Sequence, residues 1–207
     1  MKKTFLKSIL ILAALSTVMG ATVAGLAQTT QETPESVAKA YLAAMQASDW
    51  AKCASLMHPD ALASMKNGLA LVVNADKSGD AAKTIFKLKS SAEYSQLSDA
   101  AVFERLMDFV TSSNPDMKTI LSSATNTVLG KVDESPDLAH VVFRSRSKVG
   151  SEDINEVDLL SLKKQGSSWR TLLTSDMEAM LNQFLESAAP PEGETTPPEA
   201  GRPPRRP

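Results

Sequence analysis

The chain has 207 residues and a formal net charge of −2, from 22 lysines and arginines against 24 acids. This weakly acidic balance gives no electrostatic reason to expect binding to nucleic acid. The single cysteine, Cys53, excludes an internal disulfide, and its place on an apolar helix face predicts a small buried hydrophobe.

Residues 1–27 have the pattern of a secretory signal peptide. Three lysines precede the apolar run Ile9 to Leu15, no acid occurs, and small residues precede Gln28. A membrane anchor is the alternative, but this run is shorter than the ~20 residues of a span. We therefore expect cleavage, a periplasmic or extracellular location and no integral membrane segment after processing. Loss of the three lysines changes the net charge from −2 to −5.

The remaining chain divides into a domain and a tail. Residues 28–186 are long enough for one domain of ordinary size. Residues 187–207 hold seven of the eleven prolines and no apolar run, which predicts a disordered, solvated tail.

The first half of the domain is predicted to be helical. Thr33 as N-cap and Pro34 at the first position begin an amphipathic helix. Ser48-Asp49 ends it and caps a short second helix, which runs from Trp50 until Pro59 stops it. We interpret His58 as a surface residue that ends this helix.

Further helices are predicted up to the middle of the chain. The segment after Asp60 has a helical pattern, although residues 69–73 are also compatible with a strand. A loop follows at 74–80, with a cap at Asp80. The remaining predictions are a short helix at 81–88, loop at 89–96, a helix from Ser98 or Asp99 to Asn114, and one more turn at 116–121.

The last third of the domain is predicted to contain an antiparallel meander. Ala139 to Lys148 alternates in polarity with period two, which indicates a strand with one buried face. The return strand Ile154 to Lys164 carries four apolar residues as its buried set: Val157, Leu159, Leu160 and Leu162. Trp169 to Thr174 forms a third strand, residues 123–133 are a candidate earlier one, and a final helix begins at Ser175.

The register of the first hairpin depends on its turn length. An odd-length turn would place Arg146 opposite Asp158 and Lys148 opposite Glu156, whereas an even-length turn would lose both pairs. Helices followed by a meander indicate an α+β fold rather than a doubly wound parallel sheet.

Two stretches resemble the nuclear transport factor 2-like superfamily, which has a cystatin-like cone. Residues 34–50 are similar to its first helix and the Asp-Trp step into a second helix, and residues 165–173 to its glycine turn followed by Trp on a late strand. The resemblance implies N-terminal helices packed on a curved antiparallel β-meander that encloses a cavity. Some members are isomerases, dehydratases or cyclases, and others bind proteins or ligands without catalysis.

No catalytic, cofactor-binding or metal-binding motif is present. The chain lacks the GxSxG, P-loop and GxGxxG patterns, and its two histidines are far apart in sequence. The candidate pocket residues are therefore drawn from the meander and the tryptophans: His140, Arg144, Asp158, Trp50 and Trp169. A histidine beside a carboxylate could act as a base, but a solvated sheet face with core tryptophans explains the same residues.

We accordingly expect an exported, non-catalytic binding module, with a small hydrophobic ligand or a protein as partner. The alternatives are a small-molecule isomerase, dehydratase or hydrolase with its site inside the cone, and a structural envelope protein tethered by its proline-rich tail. A homodimer through the sheet is a further expectation, and neither a cofactor nor a nucleic acid is expected.

Overall fold

The computed structural model describes residues 32–150 and 152–188, which belong to one compact unit. The signal peptide predicted for residues 1–27 and most of the predicted tail lie outside these residues. Within the described ranges, no helix has the length and apolar character needed to cross a bilayer.

The described chain runs through six α-helices and one 3₁₀ helix, then four strands and a last α-helix. The helices are α1 (Pro34–Gln46), α2 (Trp50–Leu56), α3 (Pro59–Ala75), α4 (Asp80–Thr84), a 3₁₀ helix (Ser91–Gln96), α5 (Asp99–Ser113), α6 (Pro115–Ser123) and α7 (Ser175–Ala188). The strands are β1 (Thr125–Ser135), β2 (Leu138–Val149), β3 (Glu152–Gln165) and β4 (Ser168–Thr171). The predicted α+β class is confirmed.

The predicted caps begin the first helices. Thr33 Oγ1 accepts a hydrogen bond from Ser36 N at 3.2 Å, and Pro34 follows it. Asp49 Oδ1 accepts from Lys52 N at 3.0 Å, after Ser48 has turned the chain in a left-handed conformation (φ +54°). These contacts satisfy orphan N–H groups of the first turn, which is why the helix starts are readable from sequence.

The interpretation of His58 as an exposed helix end is wrong. His58 is buried and is the N-cap of α3, where its Nδ1 accepts a hydrogen bond from Asp60 N at 3.2 Å. Its own N–H donates to Thr171 O at 2.8 Å, and Met57 forms a parallel bridge with Thr171. The backbone of Met57 and His58 therefore pairs with the free edge of β4 at Thr171.

The strand alternative for residues 69–73 is also wrong, since α3 is continuous to Ala75.

The glycine within α3, Gly68, has a packing role. A Cβ at Gly68 would lie 3.3 Å from both Cδ atoms of Leu181 in α7. The missing side chain therefore permits a close approach of α7 that offsets the lower helix propensity of glycine.

The helix predicted at residues 81–88 is shorter than expected. The N-cap of α4 is Gly79 rather than the predicted Asp80. The carboxylate that accepts a hydrogen bond from the first turn belongs to Asp76, whose Oδ2 accepts from Ala81 N at 2.7 Å. A hydrogen bond from the Ser78 hydroxyl is the main reason that the pKa of Asp76 is lowered. After Thr84 the chain leaves the helix, and Lys87 takes a left-handed backbone (φ +52°) between buried neighbours.

The sheet is antiparallel with the order β1-β2-β3-β4. Val149 pairs with Glu152, so the turn has an even length, and both pairs expected for an odd-length turn are lost. Arg146 lies opposite Asn155, and Lys148 lies opposite Asp153. The reason is that a two-residue connection sets a different register from the odd turn.

The two faces of the sheet differ sharply. As the alternation predicted, β2 has one buried face, which carries Ala139, Val141 and Phe143. The predicted apolar set of β3 divides between the faces, because neighbouring residues point in opposite directions. Leu160 and Leu162 are buried under the helices, whereas Val157 and Leu159 lie on the outer face and are exposed.

Candidate functional site

The predicted pocket residues do not come together. His140 and Arg144 lie on the outer face of β2, opposite Ser161 and Val157 of β3. Asp158 pairs with Phe143 and therefore lies on the inner face. The prediction that His140 could act as a base beside Asp158 is wrong, because alternation puts the two side chains on opposite sides of the sheet.

The two tryptophans are core residues rather than pocket walls. Trp50 and Trp169 are both buried in the cluster that joins the helices to the sheet. The backbone N–H of Trp169 donates to Glu32 Oε1 at 2.6 Å, and the Lys164 ammonium lies 5.1 Å from the centroid of the Trp169 ring. These contacts hold β4 against the start of the domain and leave little ring surface for a ligand.

His140 does have a carboxylate partner, which the sequence did not indicate. Its Nε2 lies 2.6 Å from Glu134 Oε2, and its Nδ1 lies 3.0 Å from Ser161 Oγ. A register irregularity between Asp133 and Ser135 places Glu134 within reach. Alternation gives no signal for such a bulge, so only the pairing of β1 with β2 reveals the contact.

An aliphatic patch occupies the outer face of the sheet. Val132, Val157 and Leu159 are 60%, 56% and 43% exposed. Val142 joins them, since it lies opposite Leu159 on one side and Gly130 on the other. We call Val132, Val142, Val157 and Leu159 the outer patch. The solvent face of an antiparallel sheet is normally polar, so this patch requires an explanation.

Arginines border the outer patch. Arg144 lies opposite Val157, and Arg146 is the next outward residue on β2. Within the described residues neither arginine has a carboxylate at ion-pair distance, and Arg144 Nε is buried without a hydrogen-bond acceptor. The acids Glu134 and Asp153 are already engaged with His140 and Lys148. The face is therefore aliphatic at its centre and cationic at one side.

The inner face contains a small cavity of about 170 Å³ between α1, α6, the sheet and the start of α7. Its apolar walls are Leu42, Met45, Ile120, Leu121, Phe143 and Leu160. Three carboxylates, Glu156, Asp158 and Asp176, also line it, together with the amides Gln46 and Asn126. We call this the inner cavity. None of the residues that line it is a histidine, lysine, arginine or cysteine.

The buried titratable groups near α1 serve packing. Burial raises the pKa of the Cys53 thiol to about 12, and the charge of Asp49 adds to this effect. Burial likewise raises the pKa of Tyr41, whose hydroxyl lies 3.8 Å from Met177 Sδ. The thiol therefore stays protonated at neutral pH, as expected for a structural cysteine.

Within the described ranges, no group of three His, Cys, Asp or Glu side chains is placed to hold a metal ion. Comparison of the chain with family models, curated proteins and solved structures gives no match. Functional inference therefore depends on the outer patch, its arginines and the inner cavity.

Proposed function

We propose that this chain is an exported interaction module that binds an acidic protein partner through the outer patch. The observation that carries the proposal is the contiguous aliphatic surface beside two arginines that lack carboxylate partners in the described structure. Interfaces combine these features, with an apolar centre that excludes water and charges at its side that select the partner.

Burial of the outer patch by a partner would contribute a substantial binding free energy for a small surface. Full burial of a Val or Leu side chain contributes about 1.5–3 kcal/mol, so completing the burial of half-exposed ones contributes about 1 kcal/mol each. Carboxylates opposite Arg144 and Arg146 would add charge-assisted hydrogen bonds.

The charge distribution favours a different protein over a second copy of this chain. The outward residues of β2 include Arg144, Arg146 and Lys148, and their face offers few free acids. Pairing this face with itself would bring like charges together, which costs free energy unless counter-charges intervene. The homodimer expected from the sequence is thus a less favourable use of the same surface.

The inner side gives less support to a ligand pocket. The side chains of Val141, Leu160 and Leu162 are buried there under the helices. The remaining inner cavity, about 170 Å³, is smaller than the roughly 300–1,000 Å³ of typical ligand sites. A side filled by the protein's own residues favours interaction or scaffolding over small-molecule chemistry.

We also propose that the chain is a member of the nuclear transport factor 2-like superfamily. The order of a long helix, a short second helix and a terminal antiparallel meander supports this assignment. The buried positions of Trp50 and Trp169, the two residues that anchor the resemblance, are consistent with it. Export depends on the predicted signal peptide and is part of the same proposal.

Site-specific cross-linking tests the outer patch. We would replace Val157 by the photoreactive residue p-benzoylphenylalanine in the full chain, made in the cells that normally produce it. We expect one adduct with another protein, because the reactive side chain would lie within the interface. The matched control places the same residue at Leu71, which is 64% exposed on α3 and away from the sheet.

Charge reversal then tests the acidic character of the partner. Arg146→Glu should reduce the adduct at least about tenfold, which corresponds to the loss of about 1.4 kcal/mol. Lys52→Glu, an equal charge change at an exposed position of α2, should leave the yield of the adduct unchanged. An adduct with twice the mass of the chain would contradict the proposal in favour of a homodimer. An adduct insensitive to Arg146→Glu, or equally strong from position 71, would also contradict it.

One observation favours a hydrolase as the second candidate. Ser161, His140 and Glu134 form a continuous chain of contacts that resembles a nucleophile, a base and its orienting acid. However, the trio lies on the outer face of the sheet, and the ladder between β2 and β3 uses backbone N–H groups that an oxyanion hole would need. A cross-strand polar pair explains the same geometry.

A fluorophosphonate probe decides between these two interpretations of Ser161. We expect no labelling of the full chain, because the site lacks donors to stabilise the oxyanion. The measurement is mass spectrometry of the peptide that contains Ser161 after incubation at pH 8. Labelling that disappears in Ser161→Ala and falls in His140→Asn would overturn this expectation and support the hydrolase.

A further inference from the structure

The inner cavity has a composition that suits a cationic, partly apolar segment. Its walls combine aliphatic side chains with the ring of Phe143, and Glu156, Asp158 and Asp176 supply negative charge. Glu156 and Asp176 are exposed, so this charge lies where the cavity meets solvent. Lys39 lines a neighbouring depression rather than the cavity itself.

The three carboxylates lack cationic partners within the described residues. None of them takes part in an ion pair, whereas Asp60, Asp99, Asp133, Asp137 and Asp153 all do. Like charges that share one depression repel each other and favour any cation that can reach them. The negative charge of the inner cavity is therefore not neutralised by the described residues.

The carboxyl-terminal residues of the chain have the complementary chemistry. Residues 202–207 contain Arg202, Arg205 and Arg206 and no acid, while the three acids of the tail all precede them. Pro203 and Pro204 separate Arg202 from the adjacent pair Arg205 and Arg206, and they offer apolar rings between these charged groups. Arginine binds carboxylates through a planar, bidentate fork, which suits a site with several acids.

The tail is also long enough to return to the cavity. Thr174 and Asp176 line the cavity, so α7 begins there and its 14 residues end about 21 Å away at about 1.5 Å per residue. The thirteen residues 189–201 can span about 40 Å at about 3.1 Å each in a polyproline conformation. The available length is thus about twice the distance to be covered.

We infer that residues 202–207 of the same chain dock across the mouth of the inner cavity, where their arginines bind Glu156, Asp158 and Asp176. The cavity of about 170 Å³ admits a single side chain, which packs against the apolar walls, including Phe143. Because the tail is tethered, its local concentration compensates for the weak affinity of a few surface ion pairs. This self-association leaves the outer patch free and does not depend on the function proposed for it.

Amide chemical shifts of the chain from Gln28 to Pro207 test the inference. We would compare this chain with the variant R202A/R205A/R206A and expect shift changes that cluster on Ser145, Glu156 and Asp158. Raising the ionic strength from about 0.1 M to about 1 M shortens the screening length from about 10 Å to about 3 Å and should move the same amides. A peptide with the sequence of residues 201–207, added to the variant, should move them back.

Two matched variants control this experiment. The variant E192Q/E194Q/E199Q removes as many charges from the acidic half of the tail and should leave the cavity amides in place. The double variant Glu156→Gln with Asp158→Asn should abolish the response to the peptide. Shift changes that are absent, or that fall outside the inner cavity, would overturn the inference. Shift changes that vanish on dilution would assign the occupant to a second copy and would also overturn it.

Discussion

Replacement of Leu160 by alanine is expected to lower the free energy of unfolding by about 2–5 kcal/mol. Leu160 is almost fully buried on the inner face of β3, opposite Val141. Truncation removes apolar contacts and leaves a void that the helices above the sheet cannot readily fill. Urea denaturation followed by far-UV circular dichroism measures the change.

The neighbouring residue provides a matched control. Leu159 is the same residue type on the same strand, but it faces outward and is 43% exposed. Leu159→Ala should change the free energy of unfolding by less than about 0.5 kcal/mol, as is usual for surface positions. Equal losses for the two variants would contradict the register of β3, and a larger loss at Leu159 would reverse the two faces.

Replacement of Phe86 by alanine is expected to cost about 3–5 kcal/mol of stability. The ring is fully buried and packs edge-on to Tyr94, with 5.0 Å between the centroids and 72° between the planes. The carbonyl oxygen of Phe86 also accepts a hydrogen bond from Arg105 Nη1 at 2.6 Å. Phe86 therefore anchors the irregular segment between α4 and α5, and thermal denaturation should show the loss.

A double-mutant cycle separates the ring contact from burial in general. Tyr94→Ala alone and together with Phe86→Ala should show a coupling of about 0.5–1.5 kcal/mol, as aromatic pairs do. Tyr94→Phe keeps the ring pair and removes only the hydrogen bond from Tyr94 Oη to Lys66 O. Additive losses would contradict a direct contact, and a loss below about 1 kcal/mol for Phe86→Ala would contradict its burial.

The elements defined by nearby residues were predictable. Thr33, Asp49 and Ser98 cap helices where the sequence places them, because a cap satisfies N–H groups only two or three residues away. The alternation of β2 correctly predicted a strand with one buried face. By contrast, α4 ends at Thr84 rather than at Leu88, and Lys87 adopts a left-handed backbone between the buried residues Phe86 and Leu88.

The candidate site was predicted less well than the fold. The sequence favoured His140, Arg144 and Asp158 as neighbours, yet the last lies on the other face of the sheet. Glu134, the actual partner of His140, reaches it through a bulge whose position no periodic pattern indicates. The acids of the inner cavity come from β3 and α7 and meet only because the helices close over the sheet.

The sequence by itself determined the α+β class, the order of the elements and the starts of the main helices, because these follow from periodicity and capping over a few residues. Only the tertiary structure decided which leucines of β3 are buried, which acid meets His140 and which surfaces remain without a partner. Those outcomes depend on turn lengths and on contacts between distant segments, where a shift of one residue exchanges the two faces of a strand.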